Sequence, residues 1–176
     1  KEYDYVVWID ADAYFYTDAA PLEDLITSSK KDIILSGDRE NICPPHINSG
    51  FFILKNTKKV IEILTKWAFS DELRHKYLNL TADAQLDGQG RWCGPDDWVE
   101  DQAVIRGYVK DNIDNINEIT KVFDYPILQH FHERELATLN RYNIYPYVHH
   151  LAGICDKPEY RLEIAEKYLA NLDCRQ

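Results

Sequence analysis

Tyr5-Val6-Val7-Trp8-Ile9-Asp10-Ala11-Asp12 is an apolar, β-branched run that stops abruptly at two carboxylates spaced i, i+2. Val, Ile and aromatic residues in a short continuous run predict a central strand covered on both faces. In open α/β sheets, ligands sit beyond the carboxyl ends of such strands. Side chains at i and i+2 of an extended chain point the same way, so the run predicts two carboxylates facing one cation at the strand's tip. Taken alone the triplet says little, because about two would arise by chance in a chain this acidic. Its weight comes from its position, since a buried strand has little other use for adjacent charges.

Working outward, Pro21 to Ser29 reads as a short helix begun by Asp18 or nearby small residues, with proline at its first turn. Asp32 to Ser36 reads as a second strand. His46 to Leu54 places a polar, turn-like triplet, Asn48-Ser49-Gly50, before a third, and Asn56-Thr57 caps the helix that follows. In that helix Val60, Leu64, Trp67 and Ala68 fall at helical spacing and are expected in the core. Residues 79–95 lack periodicity, collect Gly88, Gly90 and Gly94, and are long for a connection, which suits a lid or binding loop flanked by Trp92 and Trp98. A helix is expected over Asp96–Lys110, strands over Ile119–Phe123 and Tyr147–Leu151, and an amphipathic helix over Glu159–Leu172. Strands alternating with helices make residues 1–176 one α/β domain.

The formal net charge of −10 argues against a nucleic-acid surface, which needs a basic stripe. It also opposes phosphate binding beside Asp10 and Asp12. Two unit charges roughly 4 Å apart interact by about 4 kcal/mol at an effective dielectric of about 20, so a polyanionic ligand there calls for a divalent cation in between. Cys43, Cys93, Cys155 and Cys174 are scattered without a Cys-x-x-Cys pair, which points to free thiols rather than a zinc cluster or a disulfide framework. Asn79-Leu80-Thr81 is a glycosylation sequon, relevant only in a secretory compartment. No apolar stretch reaches the length of a membrane span, and the compartment stays open between the cytoplasm and the Golgi lumen. The chain enters its first strand almost at once and contains no methionine, from which we expect an upstream segment beyond Lys1.

Four patterns then line up in chain order: Asp10-Ala11-Asp12, Asn48-Ser49-Gly50, Glu100-Asp101-Gln102, and His150-Leu151-Ala152-Gly153 followed by Lys157-Pro158. Together the sequence resembles the nucleotide-sugar glycosyltransferases of the GT-A fold, most closely the retaining, glycogenin-like and galactosyl/xylosyl-transferase-like families. The resemblance implies a mixed sheet flanked by helices. It also implies metal-dependent transfer of a hexose, with retention, from a nucleoside-diphosphate sugar such as a UDP-hexose to a glycan or other hydroxyl acceptor. It makes Asp10, Asp12 and His150 ligands of Mn2+, with Mg2+ as the alternative ion, and Lys157 a diphosphate contact. Asn48, Gly50 and Gly153 become donor-binding positions, with Asn48 and Gly50 a sugar-pocket wall, and Asp101 with Gln102 the reaction-centre pair. Here one extra residue separates Gly153 from Lys157, and Glu159 stands where the family has Trp. The family's amino-terminal nucleotide-binding βα half is expected to be missing from this chain.

The residues also admit other readings. A phosphohydrolase of the haloacid dehalogenase type ends an apolar strand in Asp-x-Asp and uses Mg2+, and Asp96-Asp97-x-x-x-Asp101 mimics its later acidic motif. A zinc or dinuclear site could draw on His130, His132, His149 and His150. A non-catalytic sugar-binding or scaffold domain of the same fold is a third reading. Strand alternation turns His149 to the face opposite His150, and a one-residue shift of register would exchange them.

Overall fold

In the computed structural model the described residues are 3–16, 19–38, 46–78, 100–130 and 146–151, with 162 and 166. They form β1 (Tyr5–Ile9), β2 (Ala13–Phe15), α1 (Leu22–Ser29), β3 (Ile33–Gly37), β4 (Ile47–Lys55), α2 (Lys58–Phe69), α3 (Asp71–Leu78), α4 (Glu100–Lys110), a 3₁₀ segment (Ile113–Glu118), β5 (Thr120–Phe123), β6 (Gln129–His130) and β7 (Val148–His150). Leu162 and Glu166 are helical, in keeping with the expected last helix. The stretch from Asn79 to Val99, all four cysteines, and the candidates Gly153 and Lys157 lie outside the described residues.

The architecture is mixed α/β. The larger sheet has the order β1-β4-β3-β5, with β4 antiparallel to both neighbours and β3 parallel to β5. The smaller sheet has the order β2-β7-β6, antiparallel then parallel. Strand alternation sends Ile33, Leu35, Phe52 and Leu54 to one face of the larger sheet, where they pack with Val60, Ile63 and Trp67 of α2, Leu73 and Tyr77 of α3, and Val104, Ile105 and Tyr108 of α4. Ile34, Phe51 and Ile53 go to the other face, against Leu25 of α1, Leu128 and Val148. Covered on both sides, β3 and β4 carry near-continuous apolar runs, and each fully buried Ile or Phe contributes roughly 1.5–3 kcal/mol. No helix among the described residues is long and apolar enough to cross a membrane.

Three expectations are corrected here. The opening run is not a central strand: among the described residues β1 is an edge, pairing only with β4, and Val6, Val7 and Trp8 stay 53%, 36% and 49% exposed. An apolar run records which residues pack well in a sheet, not how many neighbours the strand has. Asn48-Ser49-Gly50 is not a turn before a strand but lies inside β4, wholly buried. In α2 the buried positions are Val60, Ile63 and Trp67, while Leu64 and Ala68 are exposed, so the inner face is rotated by about one residue from the expected one. The helix does begin where expected, with Thr57 Oγ1 accepting from the Val60 N–H at 3.3 Å. Sequence reading missed α3, a mostly polar helix whose apolar positions are Leu73, Tyr77 and Leu78, with Leu73 and Tyr77 buried.

Candidate metal centre

The chain leaves β1 at Ile9 and turns at once, the Ala13 N–H donating to the Asp10 carbonyl at 3.0 Å. The turn carries the chain from the larger sheet into the smaller one. Asp10 and Asp12 therefore converge because the backbone reverses between them, not through the i, i+2 alternation of an extended strand. The β2–β7 ladder sets Ala13 opposite His150, and the Leu151 N–H donates to the Asp12 carbonyl at 2.9 Å. His150 Nε2 then lies 3.3 Å from Asp10 Oδ2 and 3.2 Å from Asp12 Oδ1. One ligand atom from each of the three residues falls within 4.8 Å of the others. The imidazole is buried and the carboxylates half-buried, so the group closes on the protein side and opens toward solvent through its acids.

Burial pulls the His150 pKa down, but hydrogen bonds to Asp10 and Asp12 and their negative charge more than offset it, leaving the imidazole raised to about 8. Trp8 Nε1 donates to Asp10 Oδ1 at 3.0 Å, which fixes that carboxylate against the end of β1. Two carboxylate oxygens and one imidazole nitrogen converging from the protein side form a donor set that fits a divalent transition ion such as Mn2+.

Below this group β4 departs from regular pairing. Leu35 faces Phe52 while its neighbour Ser36 faces Asn48, so Ser49, Gly50 and Phe51 bulge out of the β3–β4 ladder. The freed backbone donors find side-chain acceptors: Gly50 N–H donates to Asn48 Oδ1 at 2.8 Å and Ser49 N–H to Gln102 Oε1 at 3.0 Å. The bulge also accepts a bond from Asp10, whose N–H reaches the Gly50 carbonyl at 3.0 Å. A Cβ at Gly50 would stand 2.1 Å from His150 Cε1 and 2.2 Å from Nδ1. The space that glycine keeps open at this position is filled by the His150 ring, where the sequence argument assigned it to a sugar.

The expected site residues thus divide. Asp10, Asp12 and His150 come together, and Asn48 with Gly50 forms the floor beneath them. Gln102 is buried and engaged by the bulge, whereas its neighbour Asp101 is exposed and borders a pocket of about 170 Å³ with Trp8, Phe52, Leu64, Trp67, Ala68 and Ile105. His149 turns to the opposite face of β7, where Nδ1 shares a 2.6 Å hydrogen bond with the Tyr14 hydroxyl and the ring stacks on Tyr16. The expected alternation holds, and it separates His149 from His150, so the two do not build one zinc site. His132 and the side chain of His130 lie outside the described residues. Sequence reading missed Asp38, which follows β3 and accepts from Asn48 Nδ2 at 3.5 Å, and Gln129, whose Oε1 lies 3.3 Å from His150 Nδ1.

No protein-family model and no curated protein matches this chain. Among solved structures it is similar to the crystal structure of a glycosyltransferase involved in the glycosylation of the major capsid of PBCV-1. The TM-score is 0.52 at 14% identity, covering 91% of this chain and 66% of that one. The likeness is one of fold. The chain spans about two thirds of the length of that structure.

Proposed function

We propose that this chain is the metal- and donor-binding part of a GT-A-type glycosyltransferase. In this reading it moves a hexose from a nucleoside-diphosphate sugar, a uridine one, to an acceptor hydroxyl with retention of configuration. The observation that carries the reading is the convergence of Asp10, Asp12 and His150 at the ends of β1 and β7, in a chain whose fold is similar to that of a glycosyltransferase.

Asp10, Asp12 and His150 Nε2 would hold the ion, with diphosphate oxygens supplying its further ligands. When bound, the ion supplies Lewis-acid stabilisation of charge on the leaving nucleoside diphosphate. Mn2+ suits the imidazole, and Mg2+ would be held more weakly by the same set. Trp8 keeps the Asp10 carboxylate oriented, and the β4 bulge keeps the ring of His150 seated on Gly50. Asp101, at the pocket rim, is the member of the Asp101–Gln102 pair free to approach a sugar. Gln102 holds Ser49 and with it the floor of the site. Lys157 would neutralise diphosphate charge, and Asn48 and Gly153 would border the donor sugar.

Calorimetric titration with uridine diphosphate, with and without Mn2+, tests the reading. Binding that requires Mn2+ supports it. Binding indifferent to the ion, or none under either condition from a folded sample that contains the upstream half, removes it.

A further inference from the structure

Gln129 is fully buried, at 0% exposure, in a two-residue strand that nothing in the sequence marked. In the parallel β6–β7 pair it stands opposite Val148, which puts it on the same face as His150, two residues further along β7. The diagonal is within reach of a long side chain, and Gln129 Oε1 meets His150 Nδ1 at 3.3 Å. The other end of the amide is poorly served: Nε2 is buried and has no hydrogen-bond partner among the described residues. A buried amide with an unsatisfied donor costs stability, and a leucine of similar size would remove that cost. The amide is therefore a poor choice for packing, and its carbonyl is the part with a partner.

We propose that Gln129 is a positioning residue for the metal centre: by accepting from His150 Nδ1–H it holds the ring so that Nε2, and not Nδ1, faces the cation between Asp10 and Asp12. The inference rests on the metal reading given under the proposed function. An imidazole that ligates through one nitrogen needs an acceptor at the other to fix its orientation and increase its basicity. Gln129 supplies the acceptor, and Gly50 supplies the flat surface on which the ring lies, with no Cβ to push it aside. Three contacts then define the ring: Nδ1 against Gln129, its Cε1–Nδ1 edge over Gly50, and Nε2 toward the two carboxylates.

The test compares wild type with Gln129→Leu, which removes the acceptor, and Gln129→Glu, which keeps one in the same place. Mn2+ affinity is measured by calorimetry and thermal unfolding in the absence of metal. In the wild type labelled with 15N-histidine and loaded with Cd2+, the protonated ring nitrogen is identified by NMR. The expected result is a loss of Mn2+ affinity of about 10- to 100-fold in Gln129→Leu with unchanged or raised thermal stability, and recovery of most of that affinity in Gln129→Glu. The wild-type spectrum is expected to show Cd2+ on His150 Nε2 and a proton on Nδ1. A purely structural role would lower the unfolding temperature of the leucine variant and leave its metal affinity alone, which overturns the proposal. So does a wild-type spectrum with Cd2+ on Nδ1, a result that stands even where the leucine variant does not fold. A wild type that binds no divalent ion overturns the metal centre itself and this role with it, whereas binding equally tight in wild type and Gln129→Leu overturns the role of Gln129 alone.

Discussion

Two pairs of aspartates sit at different places in this molecule and are served differently. Asp111 and Asp114 follow α4, and each meets a lysine and a tyrosine: Asp111 takes Lys76 Nζ at 2.6 Å and the Tyr77 hydroxyl at 2.7 Å, and Asp114 takes Lys66 and the Tyr108 hydroxyl. Hydrogen bonds from Lys76 and then Tyr77 hold the Asp111 carboxyl below its ordinary pKa, and those from Lys66 and then Tyr108 do the same for Asp114. Asp10 and Asp12 instead share one imidazole. By themselves these three groups carry a charge of −1 with His150 protonated and −2 with it neutral. The first arrangement is a local solution to charge; the second is a group that, on the proposed reading, a divalent cation would complete. Residue type does not distinguish the two, because what separates them is which cation the fold brings to each carboxylate.

The largest expected effect comes from removing one of the shared carboxylates. Asp12→Ala should weaken Mn2+ binding by more than about 100-fold, since two remaining protein ligands seldom hold a divalent ion. Metal-dependent binding of uridine diphosphate should go with it, and unchanged donor affinity in that variant would refute the central assignment. The fold should survive, because the β2–β7 ladder around Asp12 is made by its backbone.

Gly50→Ala tests the floor of the same group. The new Cβ would overlap the His150 ring and come within 2.9 Å of Asn48 Oδ1, the acceptor of the Gly50 N–H. Overpacking of this kind costs about 1–3 kcal/mol, and here the group displaced is the proposed metal ligand. Calorimetry and thermal unfolding should therefore both move, the first by at least about tenfold in Mn2+ affinity. A variant that binds Mn2+ normally would mean that the ring's seat on Gly50 is dispensable.

Protons sharpen the comparison next, because on the proposed reading a proton and a divalent ion would compete for the same Nε2. His150 is raised from 6.5 to about 8 by Asp10 and Asp12, so its pairing stabilises the metal-free fold fully below about pH 6.5 and is lost as pH rises through about 8. That displacement corresponds to about 2 kcal/mol. Metal binding would run the other way, with affinity rising by about tenfold per pH unit below the imidazole's pKa and levelling off above about pH 8. Unfolding of wild type against His150→Gln, and Mn2+ titrations over the same pH range, should give opposite slopes. Parallel slopes would mean that the proton and the ion do not share His150.

Part of this arrangement was legible in the sequence for a physical reason: Asp10 and Asp12 close an apolar run, and such ends lie at the edge of a sheet, whereas His150 was expected beside them only through the family resemblance. The alternation of strands and helices, the Thr57 cap and the opposite facing of His149 and His150 follow from periods of 3.6 and 2 that a sequence carries directly. The rest depended on partners far away in the chain. Val6, Val7 and Trp8 read as buried because the run does not record that, among the described residues, only β4 pairs with it. Asn48-Ser49-Gly50 has the composition of a turn, and only the pairing with β3, together with Gln102 from a distant helix, makes it a bulge. Gln129 left no local trace, since two residues make no period and its partner is 21 positions on.

The smallest expected effect is the control that could break the comparison. Asp111→Ala removes a carboxylate as Asp12→Ala does, yet its effect should fall on stability alone and be small, because its lysine partner is solvent-exposed and such pairs are screened, leaving the lost acceptor of the Tyr77 hydroxyl as the main cost. Mn2+ affinity should not change. The reason is α4: Gln102 near its start holds the β4 bulge, and Asp111 just past its end holds Lys76 and Tyr77 of α3. Nine residues of helix place those two fastenings roughly 14 Å apart, beyond the Debye length of about 8–10 Å near physiological salt. Direct electrostatic influence of Asp111 at the bulge is then small, and only a shift of the helix could carry the loss of Asp111 to the floor of the metal centre. A fall in Mn2+ affinity in Asp111→Ala would therefore mean that α4 moves as a rigid lever, and that the two aspartate pairs form one mechanical system.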